Sequence, residues 1–169
     1  MPITLPMSET GTAEGTVAFI NRSNGGVPKL HVETARVTVN GIETDRQRNR
    51  RFHGGPERAL CLYSLELIAV LQREGHPIFP GSIGENLTLS GLPWESMVPG
   101  VTLEAGSVRA MITSFTKPCR TIRESFTDHH FSRISQKVHP GWSRVYARVL
   151  AEGTVSVGDA VRLLSANRQ

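Results

Sequence analysis

Cys119 stands in Thr116-Lys117-Pro118-Cys119-Arg120, directly after a proline and between two cations. The thiolate, not the thiol, attacks electrophiles and binds soft metals, and nearby positive charge favours it. The proline fixes the backbone on the approach and removes a donor. Cys119 is therefore the expected catalytic residue, with the thiol chemistry of a nucleophile or a metal ligand. The other cysteine is a contrast. Cys61 lies in the apolar run Ala59-Leu60-Cys61-Leu62-Tyr63 and reads as a buried thiol filling the core.

Two further clusters could act with Cys119. The segment from Arg46 to Arg58 holds Arg46, Arg48, Arg50, Arg51, His53 and Arg58 around Gly54-Gly55. Glycines let backbone N–H groups approach an anion, and guanidinium groups give forked, charge-assisted hydrogen bonds. Gly84-Glu85-Asn86 follows a proline-rich approach and opens a strand, a position where sites gather. Taken alone, its Asn86 reads as an ordinary turn residue bonding its own backbone. Other chemistries lack their residues. There is no Gly-x-Ser-x-Gly elbow for a serine hydrolase and no His-x-x-x-His or Cys-x-x-Cys spacing for zinc. His129 and His130 are adjacent, so on a helix they diverge by about 100° and cannot share a metal.

The bulk properties narrow the class. The 169 residues fit one domain with a proper core, and 38% hydrophobic content with 20% charged argues against disorder. Two cysteines cannot make a disulfide scaffold at this length. The start lacks the basic and apolar regions of a signal peptide, and no run approaches the ~20 apolar residues of a membrane span. A cytoplasmic location with no membrane partner is the expectation. The net charge of +4 suits a phosphate-bearing ligand, whereas 6% aromatic content gives an RNA-binding module few rings to stack on bases.

These residues need elements to hold them. Thr16–Ile20, the alternating Ala35–Val39, the apolar Ala59–Tyr63, Leu87–Leu89 and Val108–Phe115 read as strands. So do Val145–Leu150, Thr154–Val157 and Ala160–Leu164, with Asn40-Gly41 and Gly158-Asp159 as turns. Ser64 opens the clearest helix, which stops at Gly75, and Thr127 or Asp128 caps a second through about Val138. Many short strands with two modest helices predict a mainly β fold, a barrel or sandwich. Residues 1–14 and 166–169 read as tails around a single domain, residues 15–165.

In this order and spacing the clusters resemble the MOSC domain, found at the C-terminus of molybdenum cofactor sulfurases and in standalone bacterial proteins. The residues that carry the resemblance are Asp45-Arg46-Gln47, Arg51 to Leu60, Gly81 to Leu87, Lys117-Pro118-Cys119, Tyr146 to Leu150 and Gly158-Asp159. The resemblance implies a mainly β, MOSC-type β-barrel with a few flanking helices. It implies a molybdenum cofactor (molybdopterin), with Cys119 as metal ligand or sulfur-carrying group. The cofactor would be held by Arg51, His53, Gly54, Gly55, Arg58, Glu85, Asn86, Lys117 and Arg120. The best-understood relatives reduce small N-hydroxylated compounds. With no pyridoxal phosphate, flavin or zinc motif present, a separate electron donor or sulfurtransferase protein is the expected partner. Arg144 departs from the pattern, standing close to where the family is expected to have a glycine. The alternative function is a sulfur carrier that forms a persulfide on Cys119 for cofactor or metal–sulfur cluster assembly.

Overall fold

The computed structural model describes residues 13–23, 25–45 and 55–164. Its strands are β1 (Glu14–Arg22), β2 (Leu30–Val32), β3 (Thr34–Thr38), β4 (Gly41–Ile42), β5 (Leu60–Ser64), β6 (Leu87–Ser90), β7 (Thr102–Ala105), β8 (Val108–Phe115), β9 (Val145–Ala151), β10 (Gly153–Ser156) and β11 (Ala160–Leu164). The main sheet runs β11-β7-β8-β9-β5-β6-β1, and β1 pairs back onto β11, which closes a seven-stranded barrel. Closure removes the exposed edges that an open sheet would leave. β2 extends the sheet beyond β1, and β10, β3 and β4 form a second, three-stranded sheet.

Alternation explains the barrel. In β8, Val108, Ala110 and Ile112 are buried while Arg109 is exposed, and in β11 Val161 and Leu163 point in. β5 does not alternate: all five of its residues are buried. It lies between β6, which is parallel to it, and β9, which is antiparallel, and is covered on both faces.

The expected strands appear within a residue or two of their expected bounds. The short strands β2 and β4 carry too few residues to show a period, and β7, which alternates with Leu103 and Ala105 buried, is not among the expected strands. The turn expected at Asn40-Gly41 lies one residue earlier, at Val39-Asn40, because Gly41 already pairs with Thr38. Ser64 caps the helix α1 (Leu65–Arg73) by accepting from Leu67 N at 3.2 Å, and Ile68 and Leu71 face the core. The helix gives out at Glu74, before Gly75, whose φ of 98° only glycine adopts easily.

The second expected helix is overturned. Residues 120–134 form three short 3₁₀ turns, Arg120–Ser125, Thr127–His129 and Phe131–Ile134. Asp128 and His129 both have φ of 56°, a left-handed backbone that no α-helix continues through. Thr127 does not cap. Its N–H donates to His76 Nδ1 (3.1 Å) and its hydroxyl to the Gly75 carbonyl (2.8 Å), tying the segment to the end of α1. Buried Phe126 and Ile134 pin it at both ends. Tertiary anchoring outweighs the cap signal.

Candidate functional site

Cys119 reaches its place through an irregularity in β8. The register of β8 on β9 shifts between Ile112 and Ser114, which admits Thr113 as an extra residue. Such a bulge re-aims the strand end. The Thr113 hydroxyl donates to the Glu57 carbonyl at 2.5 Å, so the bulge also grips the far end of the arginine-rich segment. Beyond the strand, buried Thr116 is the last fixed point. Its N–H donates to the Arg144 carbonyl (2.9 Å), and its own carbonyl accepts from Ser143 Oγ (3.2 Å). Lys117 is then exposed, and Cys119 is half-buried, with Sγ 2.6 Å from the Thr121 hydroxyl. Ser125 closes the turn after Cys119 by donating to the Ser82 carbonyl (3.3 Å), which docks it on the segment leading to Glu85.

Glu85 and Asn86 are fully buried, and their bonds run across the fold. Asn86 N–H donates to the Cys61 carbonyl (2.7 Å), and its Oδ1 accepts from Cys61 N–H (2.9 Å). Asn86 Nδ2 donates to Asp45 Oδ2 at 2.9 Å. Asp45 also accepts from Ser23 N (2.8 Å) and pairs with buried Lys29 at 2.7 Å. Asn86 is thus neither a simple turn residue nor a free donor. It joins β1, β5 and the root of the arginine-rich segment. The Glu85 carboxylate accepts from Gly81 N and the Thr88 hydroxyl, each at 3.0 Å. Burial pushes its pKa up to about 7, against the opposing pull of those hydrogen bonds and of the Arg144 charge.

The arginine-rich segment enters at Asp45 and leaves through Gly55 and the turn Pro56–Arg58. Arg51, His53 and Gly54 lie outside the described residues. Gly55 is exposed with φ of 93°, a conformation that suits glycine, and Arg58 lies over the Tyr146 ring at 5.4 Å. Tyr146 stands opposite Cys61 in the β5–β9 pair. Burial raises its hydroxyl pKa to about 12, with Cys61 adding to the rise, Arg144 and Arg58 opposing it, and Cys119 adding to it. That one ring therefore senses both cysteines and both arginines. Arg58, Glu85, Asn86, Lys117, Cys119 and Arg120 all lie on segments joined by these bonds. Lys117 and Arg120 are exposed at its surface.

Sequence reading did not single out Thr116, Ser143 or Tyr146 as part of the site, nor the Lys29–Asp45 pair. It noticed Arg144 only as a departure. Arg144 is buried at 6% exposure, and its Nη1 donates to the Ile83 carbonyl at 2.7 Å. Its Nε is buried without a hydrogen-bond partner. An arginine just ahead of an apolar strand is the signal that could have found it. Cys61 is buried as expected, and desolvation pushes its thiol pKa up. Among the described residues, no three His, Cys, Asp or Glu side chains gather to hold a bare metal ion, and no helix is long and apolar enough to cross a membrane.

A family model described as the MOSC domain matches residues 49–162. YflK of Bacillus subtilis is 31% identical over 125 residues, which is 73% of this chain and 56% of YflK. YiiM of Escherichia coli is 29% identical over 154 residues, 88% of this chain and 67% of YiiM. This chain thus spans just over half the length of one relative and about two thirds of the other. The crystal structure of YiiM from Geobacillus stearothermophilus superposes with a TM-score of 0.69 at 24% identity, covering 89% of this chain and 75% of that one. That likeness is one of fold.

Proposed function

This chain belongs to the MOSC domain family, and we propose that it binds a molybdenum cofactor through Cys119 Sγ and reduces small N-hydroxylated compounds there. The observation that carries this reading is the presentation of Cys119. A half-exposed thiol sits at the end of a bulged strand, on a loop fixed by buried Thr116, at a cation-rich surface. The donor set fits the group. One cysteine, with no cluster of three His, Cys, Asp or Glu among the described residues, suits a metal whose other ligands come with the cofactor, not a bare ion. The buried, unpartnered Arg144 Nε suits a ligand that brings negative charge.

Bound molybdenum would supply the two-electron redox chemistry. The chain's own part is to hold and to exclude. Cys119 would ligate the metal, Lys117 and Arg120 would add positive charge beside it, and Arg58 would contact the cofactor. Glu85 and Asn86 keep the segments in register from below. Cleavage of the N–O bond takes up two electrons and two protons, leaving an N–H group and water. The electrons come from a separate donor protein. The test is metal and pterin analysis of protein made in cells with an active cofactor pathway. Wild type is expected to carry molybdenum, and Cys119→Ala is expected to fall to background while keeping its circular dichroism. Equal metal content in the two proteins would sink the reading.

The second reading is a sulfur carrier, favoured by the Thr121 hydroxyl 2.6 Å from Cys119 Sγ, which can hydrogen-bond a thiolate or persulfide. A sulfurtransferase persulfide would pass its terminal sulfur to the Cys119 thiolate and keep a thiolate itself. Intact-mass analysis after incubation with such a donor should show one added, reducible sulfur. Its absence discards this reading.

A further inference from the structure

Two arginines among the described residues have a buried guanidinium nitrogen with no hydrogen-bond partner, Arg133 at Nη1 and Arg144 at Nε. They are otherwise unlike. Arg133 forks onto Glu74, with Nε and Nη2 at 2.9 and 2.8 Å from the two carboxylate oxygens, and stacks on the Trp142 ring at 3.9 Å. Its charge is matched. Arg144 is buried at 6% exposure, and among the described residues its side chain makes one hydrogen bond, to the Ile83 carbonyl, with no carboxylate within salt-bridge distance. The nearby carboxylate of Glu85 spends its oxygens on Gly81 N and the Thr88 hydroxyl.

A guanidinium cannot shed its proton to escape burial, so its charge must be matched by something. The charge of Glu85 acts on it through space, but no carboxylate among the described residues forms an ion pair with it. The charged residues that flank Cys119 in sequence, Lys117 and Arg120, are themselves cations. Asp45, the acid at the root of the arginine-rich segment, is already paired with Lys29. Arg144 is also wired to the thiol segment, since its carbonyl accepts from Thr116 N at 2.9 Å, three residues before Cys119.

We propose that Arg144 is an anion-binding residue beneath Cys119, whose buried guanidinium takes an oxyanion, a phosphate or carboxylate group, as its missing counter-ion. The inference deepens the cofactor-binding reading by giving Arg144 a ligand, but its test runs on metal-free protein and so fails or succeeds separately. The oxyanion has two sources, the phosphate of the pterin cofactor or an anionic group on the substrate.

The experiment is calorimetric titration of the full-length, metal-free protein with inorganic phosphate, wild type beside Arg144→Met. Wild type is expected to bind phosphate saturably, and Arg144→Met is expected to bind it about tenfold or more weakly, the scale of one charge-assisted hydrogen bond. Should Arg144→Met not fold, Arg144→Lys keeps the cation but loses the fork, and is likewise expected to bind more weakly. No binding by wild type overturns the proposal. So does unchanged affinity in the folded variant, because the other arginines would then account for all of the binding. Repeating the titration on cofactor-loaded wild type identifies the source. Loss of the phosphate response supports the proposal with the pterin phosphate as the oxyanion, and its persistence supports it with a substrate anion.

Discussion

Two buried polar regions of the barrel are built on opposite terms. On one side Asp45, Lys29, Ser23, Asn86, Asn21, Thr88 and Glu85 share hydrogen bonds of 2.7–3.1 Å. On the other, the Arg144 guanidinium makes a single hydrogen bond among the described residues. A saturated buried network rigidifies a fold, whereas an unsaturated one costs stability unless a ligand completes it. The difference separates scaffold from site without reference to any motif. The Asp45–Asn86 side holds the roots of the loops. The Arg144–Cys119 side is the one proposed to bind a ligand.

The scaffold side should break most severely. Asp45→Ala leaves Lys29 as a buried, unpaired cation, deprives Ser23 N of its acceptor and leaves Asn86 Nδ2 only its 3.5 Å bond to the Asn21 carbonyl. Breaking a buried pair from one side costs about 3–5 kcal/mol. Denaturant unfolding of Asp45→Ala is expected to show a loss of that order, and Lys29→Met combined with it should recover a large part. A loss near zero would mean that the network is not what holds the loop roots, and the contrast with Arg144 would collapse.

Glu85 sharpens the contrast through pH. Its folded pKa is raised from 4.5 to about 7 by burial, so between those values the native protein keeps a proton that the unfolded chain has released. Stability from this group is complete below about pH 4.5 and falls as pH rises through 7. At 1.36 kcal/mol per unit the total is at most about 3 kcal/mol. Glu85→Gln, neutral at every pH, should therefore flatten the stability profile between pH 5 and 8 relative to wild type, as measured by urea midpoints. A variant profile parallel to wild type would show that Glu85 does not titrate in this window.

Much of this was legible in residue order, and the misses have physical causes. The Ser64 cap, the apolar run of β5 and the strand that delivers Cys119 are local patterns, and local patterns survive folding. The helix expected after Thr127 was a local signal overridden by contacts to Gly75 and His76, which are 52 and 51 residues away. The Asp45–Lys29–Asn86 knot could not be read at all, since its members sit 16 and 41 residues apart and each looks like a loop residue. Arg144 lay in plain view, but its meaning comes from what does not surround it. A sequence cannot show an unmet hydrogen bond.

The two cysteines give the smallest effects and the clearest ranking. Cys61 is buried at 6% exposure, with its sulfur 3.9 Å from the Thr116 hydroxyl, and burial raises its pKa. Cys61→Ser therefore puts a stronger polar group where partners are poor and should cost about 1–3 kcal/mol. Cys119→Ser changes a half-exposed side chain already beside a hydroxyl, and its cost should stay within about 0.5 kcal/mol. Iodoacetamide should mark the same divide, giving a single adduct on Cys119 in native protein and a second on Cys61 only after unfolding. Equal rates for the two thiols would show that Cys61 is accessible in the native protein, and burial would then no longer separate the scaffold thiol from the site thiol.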